Sequence, residues 1–235
     1  MSSVRAAATP RAVLDWWFAG KWGDWAAMNA EEYMMERMRI WFGCSMTPQG
    51  PELLPQAERD LIDDSMAAFV PTIRAAGREE LVDESWTTLE GKYAQLILID
   101  QMSRNCFRGT PEAFANDEVG AKLARELFSA AYHTTWASPV PFTFIVTPGQ
   151  HSEAPSDHDM NAVISDYVTE KFPGFLSEMT RKACFEHKAV VDRFGRYPHR
   201  NAALGRESTA EELAWLADWD ELPGWAKSQV PPPKA

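Results

Sequence analysis

Cysteine is scarce in this chain: three residues in 235, Cys44, Cys106 and Cys184, far apart and odd in number. They form no CxxC pair and no disulfide framework, which points to a reducing, cytoplasmic compartment. Long apolar runs are missing as well. Leu96-Ile97-Leu98-Ile99 is far too short to span a bilayer, and the first residues hold no apolar signal segment. Positive charge is in deficit, with 23 Lys and Arg against 34 Asp and Glu, a net charge of −11. Neutralising phosphate requires the opposite excess, so nucleic acid and anionic membrane are excluded as partners. There is no P-loop, no GxGxxG, no GxSxG, no zinc-finger spacing and no repeat of fixed period. No metal is expected, and no cofactor can be named.

What is present is an ordinary globular composition, 45% hydrophobic, with an unusual supply of rings: ten Trp and twelve Phe. The core should be bulky and aromatic. Residues 1–9 are small and polar and read as a disordered start. Pro10 opens a short helix through Phe18, closed by Gly20. Asn29 is placed to cap a helix from Ala30 to Phe42. Residues 44–55, rich in Pro, read as a loop. A helix is expected from Gln56 to Ala76, ended or kinked by Pro71. The longest helix is expected from Asp83 or Ser85 to Asn105, its apolar stripe being Trp86, Leu89, Tyr93, Leu96 and Ile97. Another follows from Thr110 or Asn116 to about His133. Val140–Pro148 reads as a buried extended segment or a short helix. Helices then run from Asp157 to Phe172, from Phe175 to Phe194 and from Ser208 or Thr209 to about Asp218. The expected class is all-α: one domain over residues 10–222, built as stacked antiparallel helix hairpins, with 223–235 a loose Pro-rich tail.

Polar residues that could carry chemistry fall at four places, two of them on apolar stripes. Asp100 follows Leu96 by four residues, and Arg104 follows Asp100 by four, so both lie on the buried face. They are either a structural ion pair or one wall of a polar pocket, with Gln101, Asn105 and Arg108 in reach. His187 shares a stripe with Ala183, Val190, Val191 and Phe194, as a core histidine or a ligand contact. The run Phe194-Gly195-Arg196-Tyr197-Pro198-His199-Arg200-Asn201, continuing to Arg206, puts three Arg and a His before a Ser/Thr helix cap. That is a suitable anion site or a scaffolded loop. His151 and Glu153 form an acid/base pair or a local turn, and His158 reads as part of a solvated turn. Charge is uneven: residues 52–90 carry net −7 and 181–206 net +5. The basic stretch is matched to the acidic one, solvated, or matched to an anionic ligand.

These residues together resemble a family of bacterial proteins of unknown function, number 924. The resemblance rests on Ile99-Asp100-Gln101-Met102-Ser103-Arg104-Asn105-Cys106-Phe107-Arg108-Gly109, Ala113-Phe114, Asp117 and His151-Ser152-Glu153. It continues in His187, Phe194-Gly195-Arg196, Pro198-His199-Arg200-Asn201, Leu204-Gly205-Arg206 and Ser208-Thr209 with Glu211-Glu212. The opening Val13-Leu14-Asp15-Trp16-Trp17-Phe18 fits too, so about residues 12–216 are covered. Ser103 stands where the family has Pro, and Gln150 where an acid precedes the His. The resemblance implies a tetratricopeptide-like all-helical fold and no activity.

The sequence therefore leads to two functional expectations. In the first, Asp100, Arg104, Asn105, Arg108, His187, Arg196, Arg200, Asn201 and Arg206 bind a small anionic molecule. His151, Glu153 and His199 are then the candidate catalytic residues, and whether the protein is an enzyme stays open. In the second, the chain is a tetratricopeptide-like scaffold for a protein partner, the polar motifs lock helices, and Trp215, Trp219 and Trp225 are exposed contact points. The two differ in whether the motif residues converge in one cavity or are dispersed as helix-end ties.

Overall fold

The computed structural model describes residues 8–47, 50–220 and 222–228. Helices dominate. They are α1 (Pro10–Trp17), α2 (Trp25–Met28), α3 (Glu31–Phe42), α4 (Gln56–Ser65), α5 (Val70–Gly77), α6 (Glu84–Thr87), α7 (Leu89–Leu96), α8 (Ser103–Cys106), α9 (Asp117–Ser129), α10 (Val140–His151), α11 (Pro155–Lys171), α12 (Phe175–Phe194), α13 (Ala210–Ala217) and α14 (Gly224–Lys227). No helix among the described residues is long and apolar enough to cross a membrane.

Several boundaries follow directly from local chemistry. Thr9 caps α1, its hydroxyl accepting from the Ala12 N–H, and Pro10 takes the first turn. Thr209 and Glu212 form a reciprocal capping box at α13. Gly195, at φ +69°, ends α12 in the left-handed conformation. α11 and α12 are joined by only Phe172–Gly174 and pack along each other, a helix hairpin of the expected kind.

Other expectations are corrected. Residues 44–55 are not a plain loop. β1 (Cys44–Thr47) and β2 (Gly50–Leu53) pair antiparallel, Cys44 opposite Leu53 and Thr47 opposite Gly50. Asn29 does not cap α3; it ends α2, and its amide donates to the Ala137 carbonyl. The helix of 56–76 is two, separated by a 3₁₀ turn at Ala67–Phe69. Pro71 lies in the first turn of α5, where its missing N–H costs nothing, instead of ending a helix. The long helix breaks at Thr88, whose extended backbone caps α7. Gly91 permits that break, since a Cβ there would come within 2.2 Å of the Ser85 carbonyl oxygen. Of the two readings offered for Val140–Pro148 the helix holds: it belongs to α10, buried from Val140 through Gln150, and its β-branched composition reflects full burial and not an extended segment. The tail is not loose from its start, because α14 forms and Ala226 is fully buried. Residues 1–7 and 229–235 lie outside the described residues.

The core is aromatic, as composition implies. Trp17, Phe18, Trp22, Trp41, Tyr93, Trp136, Phe142 and Phe144 are all buried. Their rings meet at 4.9 Å (Trp22–Tyr93), 5.0 Å (Phe18–Trp22) and 5.1 Å (Trp136–Phe142). Each such contact contributes about 0.5–1.5 kcal/mol beyond area burial. α10 runs through this core and delivers His151 at its C-terminal end.

Candidate functional site

The helix between α7 and α8 widens into a π turn over Ile97–Met102, which carries Asp100 and Gln101. A π turn disrupts the ordinary carbonyl ladder, and such turns concentrate at functional sites. Two carbonyls of this turn are taken by side chains. Arg104 Nη1 donates to the Asp100 oxygen at 3.0 Å, and the Ser103 hydroxyl donates to the Ile99 oxygen at 2.6 Å. The Ser at position 103 thus does what a Pro there could not.

Asp100 is 1% exposed and lies in a polar cluster drawn from several segments of the chain. Its Oδ1 accepts from His151 Nδ1 at 2.7 Å, its Oδ2 accepts from the Gln101 amide, and Arg104 Nη1 lies 3.7 Å away. Arg104 makes a fork to Asp117 at 2.8 and 2.9 Å, and Arg200 Nη1 joins the same carboxylate at 3.0 Å. The Arg200 guanidinium is sandwiched between the rings of Tyr197, 4.3 Å away, and Phe114, 4.8 Å away. His187 stacks on Trp225 at 4.0 Å and stands 6.2 Å from His151, while His199 lies 5.4 Å from both Tyr197 and Trp225.

The tautomers follow from the acceptors. A carboxylate and a carbonyl only accept, so His151 Nδ1–H donates to Asp100 and His187 Nδ1–H donates to the Ala183 carbonyl at 2.7 Å. Neutral rings so held carry a basic lone pair on Nε2, and neither Nε2 has a protein partner among the described residues. His199 makes no hydrogen bond there, and its Nδ1 is sealed from water, as is Arg200 Nε.

Electrostatics agree with neutral rings beside an ionised carboxylate. Burial pushes His187 and His199 well below the ordinary histidine range, and neighbouring cations and imidazoles add to that. Burial and Arg104 lower His151 despite Asp100. Burial alone would raise Asp100, but His151 and Arg104 overcome it and leave it below the usual range.

A second polar cluster occupies the outer half of the same loop. Glu153 accepts from the Tyr197 N–H at 2.8 Å and takes an Arg206 fork at 2.7 and 3.0 Å. Arg206 Nε donates to the Asn201 amide oxygen, and the Asn201 amide donates to Ser208 Oγ and Glu212. Arg196 forks onto Glu212 at 2.7 and 2.8 Å, which holds that carboxyl at about 2.

The expected site residues therefore divide. Asp100, Arg104, His151, His187, His199 and Arg200 converge. Glu153 does not face His151 as an acid/base partner; it is spent on Arg206 and the Tyr197 amide. Arg196, Asn201 and Arg206 are likewise held by protein groups. Asn105 and Arg108 sit apart, both on Asp63 at 2.8 Å. The basic stretch does not neutralise the acidic one. Its salt bridges run to Asp117, Glu153, Asp159, Asp166, Glu186, Asp192, Glu211 and Glu212. His158 is buried, its Nε2 on the Ser152 carbonyl at 2.8 Å, and is no solvated turn. Trp215, Trp219 and Trp225 are half-buried, not exposed. Burial raises Cys44 and Cys106 to about 11, which leaves both thiols inert.

Tyr197, and the joining of two Arg by Asp117, were missed as parts of a site. No periodicity links Arg104 to a carboxylate thirteen residues on, and Tyr197 gave no signal beyond its place between Arg196 and His199. Among the described residues no cluster of His, Cys, Asp and Glu is arranged to hold a metal ion. Two surface grooves, of about 240 and 360 Å³, are lined by other residues, such as Trp86 with Lys122 and Arg39 with Leu61.

Comparison with known proteins gives two matches. The family model described as bacterial protein of unknown function (DUF924) matches residues 13–220. A solved structure of a protein of unknown function from Agrobacterium tumefaciens is similar at 30% identity and a TM-score of 0.58, covering 67% of this chain and 84% of that one. No curated protein matches.

Proposed function

The chain belongs to that family of bacterial proteins of unknown function, and from this premise we propose a function on the chemistry of the inner cluster: it binds a small anion together with a proton. The observation that carries the proposal is the Asp100–His151 pair, one imidazole nitrogen fixed by a carboxylate and the other unengaged, beside His187, His199 and Arg200. Arg200 supplies the fixed charge. The imidazoles supply basic nitrogens that take up the proton of a phosphoric or carboxylic acid, and Asp100 stabilises His151 when it becomes positive. The same arrangement moves a proton to and from a bound molecule, which is the form an enzymatic role would take. Cytoplasmic placement belongs to this proposal.

The test is calorimetry with inorganic phosphate and with malonate, at about pH 6 and about pH 8, in buffers of different ionisation enthalpy. Expected are proton uptake on binding, tighter binding at the lower pH, and loss of binding in Arg200→Ala. In a thermal melt, probe at 100 times its Kd adds about 2.7 kcal/mol, roughly 5–11 °C for a chain of this size. A folded protein that binds neither probe at either pH overturns the proposal.

The runner-up, a tetratricopeptide-like interaction scaffold, is favoured by the outer cluster, where Arg196, Asn201 and Arg206 lock helix ends. It gains if Arg200→Ala lowers stability and no anion binds.

A further inference from the structure

The segment Leu222–Ser228 reaches back over the imidazoles. α14 packs against β2, and Leu222 and Ala226 are buried. The Ser228 carbonyl oxygen accepts from Arg108 Nη1 at 3.1 Å and from Arg59 Nη1 at 3.4 Å. This segment, pinned on both sides, presents Trp225. Its indole lies parallel to His187, with 4.0 Å between centroids and 21° between planes, 5.4 Å from His199 and 5.8 Å from Tyr197. Its Nε1–H is sealed from water and has no acceptor among the described residues. His199 Nδ1 and Arg200 Nε, in residues 6% and 4% exposed, are in the same condition. A buried polar group left unpaired is expensive. Three of them around one ring stack are groups that an entering acid can engage.

We infer that Trp225 is a residue of this site and that Leu222–Ser228 is a strap closing it. The indole lifts from His187 to admit the ligand, then returns to cover it and to offer Nε1–H as a donor. The inference rests on the inner cluster being a ligand site, since a strap has work to do only over a site that is entered. It gives Arg108 and Arg59 a role that the anion reading did not: they tether the strap.

Diethyl pyrocarbonate tests this on the full chain, because it acylates neutral imidazoles that it can reach. Modification is read at each histidine by peptide mass spectrometry, with His133, stacked on Phe128 away from the strap, as the internal control. In Trp225→Ala, His187 and His199 should react roughly fivefold faster or more than in the parent protein, matching the loss of one aromatic stack, with His133 unchanged. Equal rates at His187 in the two proteins overturn the strap. Should His133 accelerate as much as His187, the variant has unfolded and Trp225→Phe decides, since it keeps a stacking ring and loses the donor. His187 protected, with inorganic phosphate bound several-fold more weakly, supports the inference; unchanged phosphate affinity overturns it. Protection in Trp225→Ala is read without ligand, so a working strap with no phosphate binding condemns the anion reading alone.

Discussion

The loop from Gly195 to Gly205 and the helix after it hold two polar clusters made of the same residue types, and they differ in what is left over. The outer cluster is closed: Glu153 and Glu212 each take an arginine fork, Asn201 bridges them, and Thr209 finishes the helix cap. The inner cluster is open. Asp100 and Asp117 are satisfied, but among the described residues His199, Arg200 and Trp225 keep buried nitrogens that no protein group engages, and His151 and His187 are engaged through Nδ1 only. Satisfied networks rigidify a fold, and partly satisfied ones are costly unless something else uses them. The lesson is that an Arg/His-rich motif is not one site. The inner half is a candidate for chemistry, and the outer half holds it in place.

The largest expected effect that tests this contrast is at Asp117, the one carboxylate joining Arg104 and Arg200. Asp117→Ala strands the buried Arg200 and leaves Arg104 with the Asp100 carboxylate 3.7 Å away, and should cost about 3–5 kcal/mol in urea unfolding. A cost under about 1 kcal/mol would mean that the inner cluster is solvated after all.

Next is pH. His151, His187 and His199 are lowered in the folded state by burial. Below about pH 6.5 the unfolded chain therefore binds protons that the folded chain refuses. Stability is complete above that pH and falls as pH drops, by at most about 1.4 kcal/mol per pH unit for each ring that stays neutral. Inorganic phosphate should oppose that loss, because a bound anion favours the protonated rings. Urea midpoints from about pH 8 to about pH 5, with and without phosphate, measure both effects. Midpoints flat across that range contradict the buried neutral rings.

Smaller is Arg200→Lys, which keeps the charge on Asp117 but loses the planar fork between Tyr197 and Phe114. Binding of inorganic phosphate should weaken about tenfold while the melting temperature moves by a few degrees. Smallest is Thr209→Ala in the outer cluster, about 1 kcal/mol of stability from the lost cap with phosphate affinity untouched. Weaker binding in Thr209→Ala would erase the distinction between the clusters.

Much of the frame was legible. Caps and breakers at Pro10, Asp83, Gly195 and Thr209 act through the nearest backbone, so their meaning does not depend on the rest of the chain; the Thr9 cap went unread within a stretch expected to be disordered. The bounds of α12 follow from Pro173-Gly174 and Gly195 for that reason. Val140–Pro148 was ambiguous because a fully buried helix shows no amphipathic period, and the Cys44–Leu53 hairpin hid behind prolines that edge strands tolerate.

The candidate site was legible as a list of residues and not as an arrangement. Helical spacing alone put Asp100 and Arg104 on one buried face and turned His187 inward, because a 3.6-residue period fixes direction along a helix. Which group each polar side chain would meet was settled only by tertiary packing. Asp100 meets a histidine 51 residues on, Arg200 meets a carboxylate 83 residues back, and Glu153 meets an arginine 53 residues on. Spacing carries no information over such separations. By itself the sequence determined the helical class, several helix ends and the inward polar positions; the fold alone decided which of those positions are spent on the protein and which keep nitrogens unengaged among the described residues.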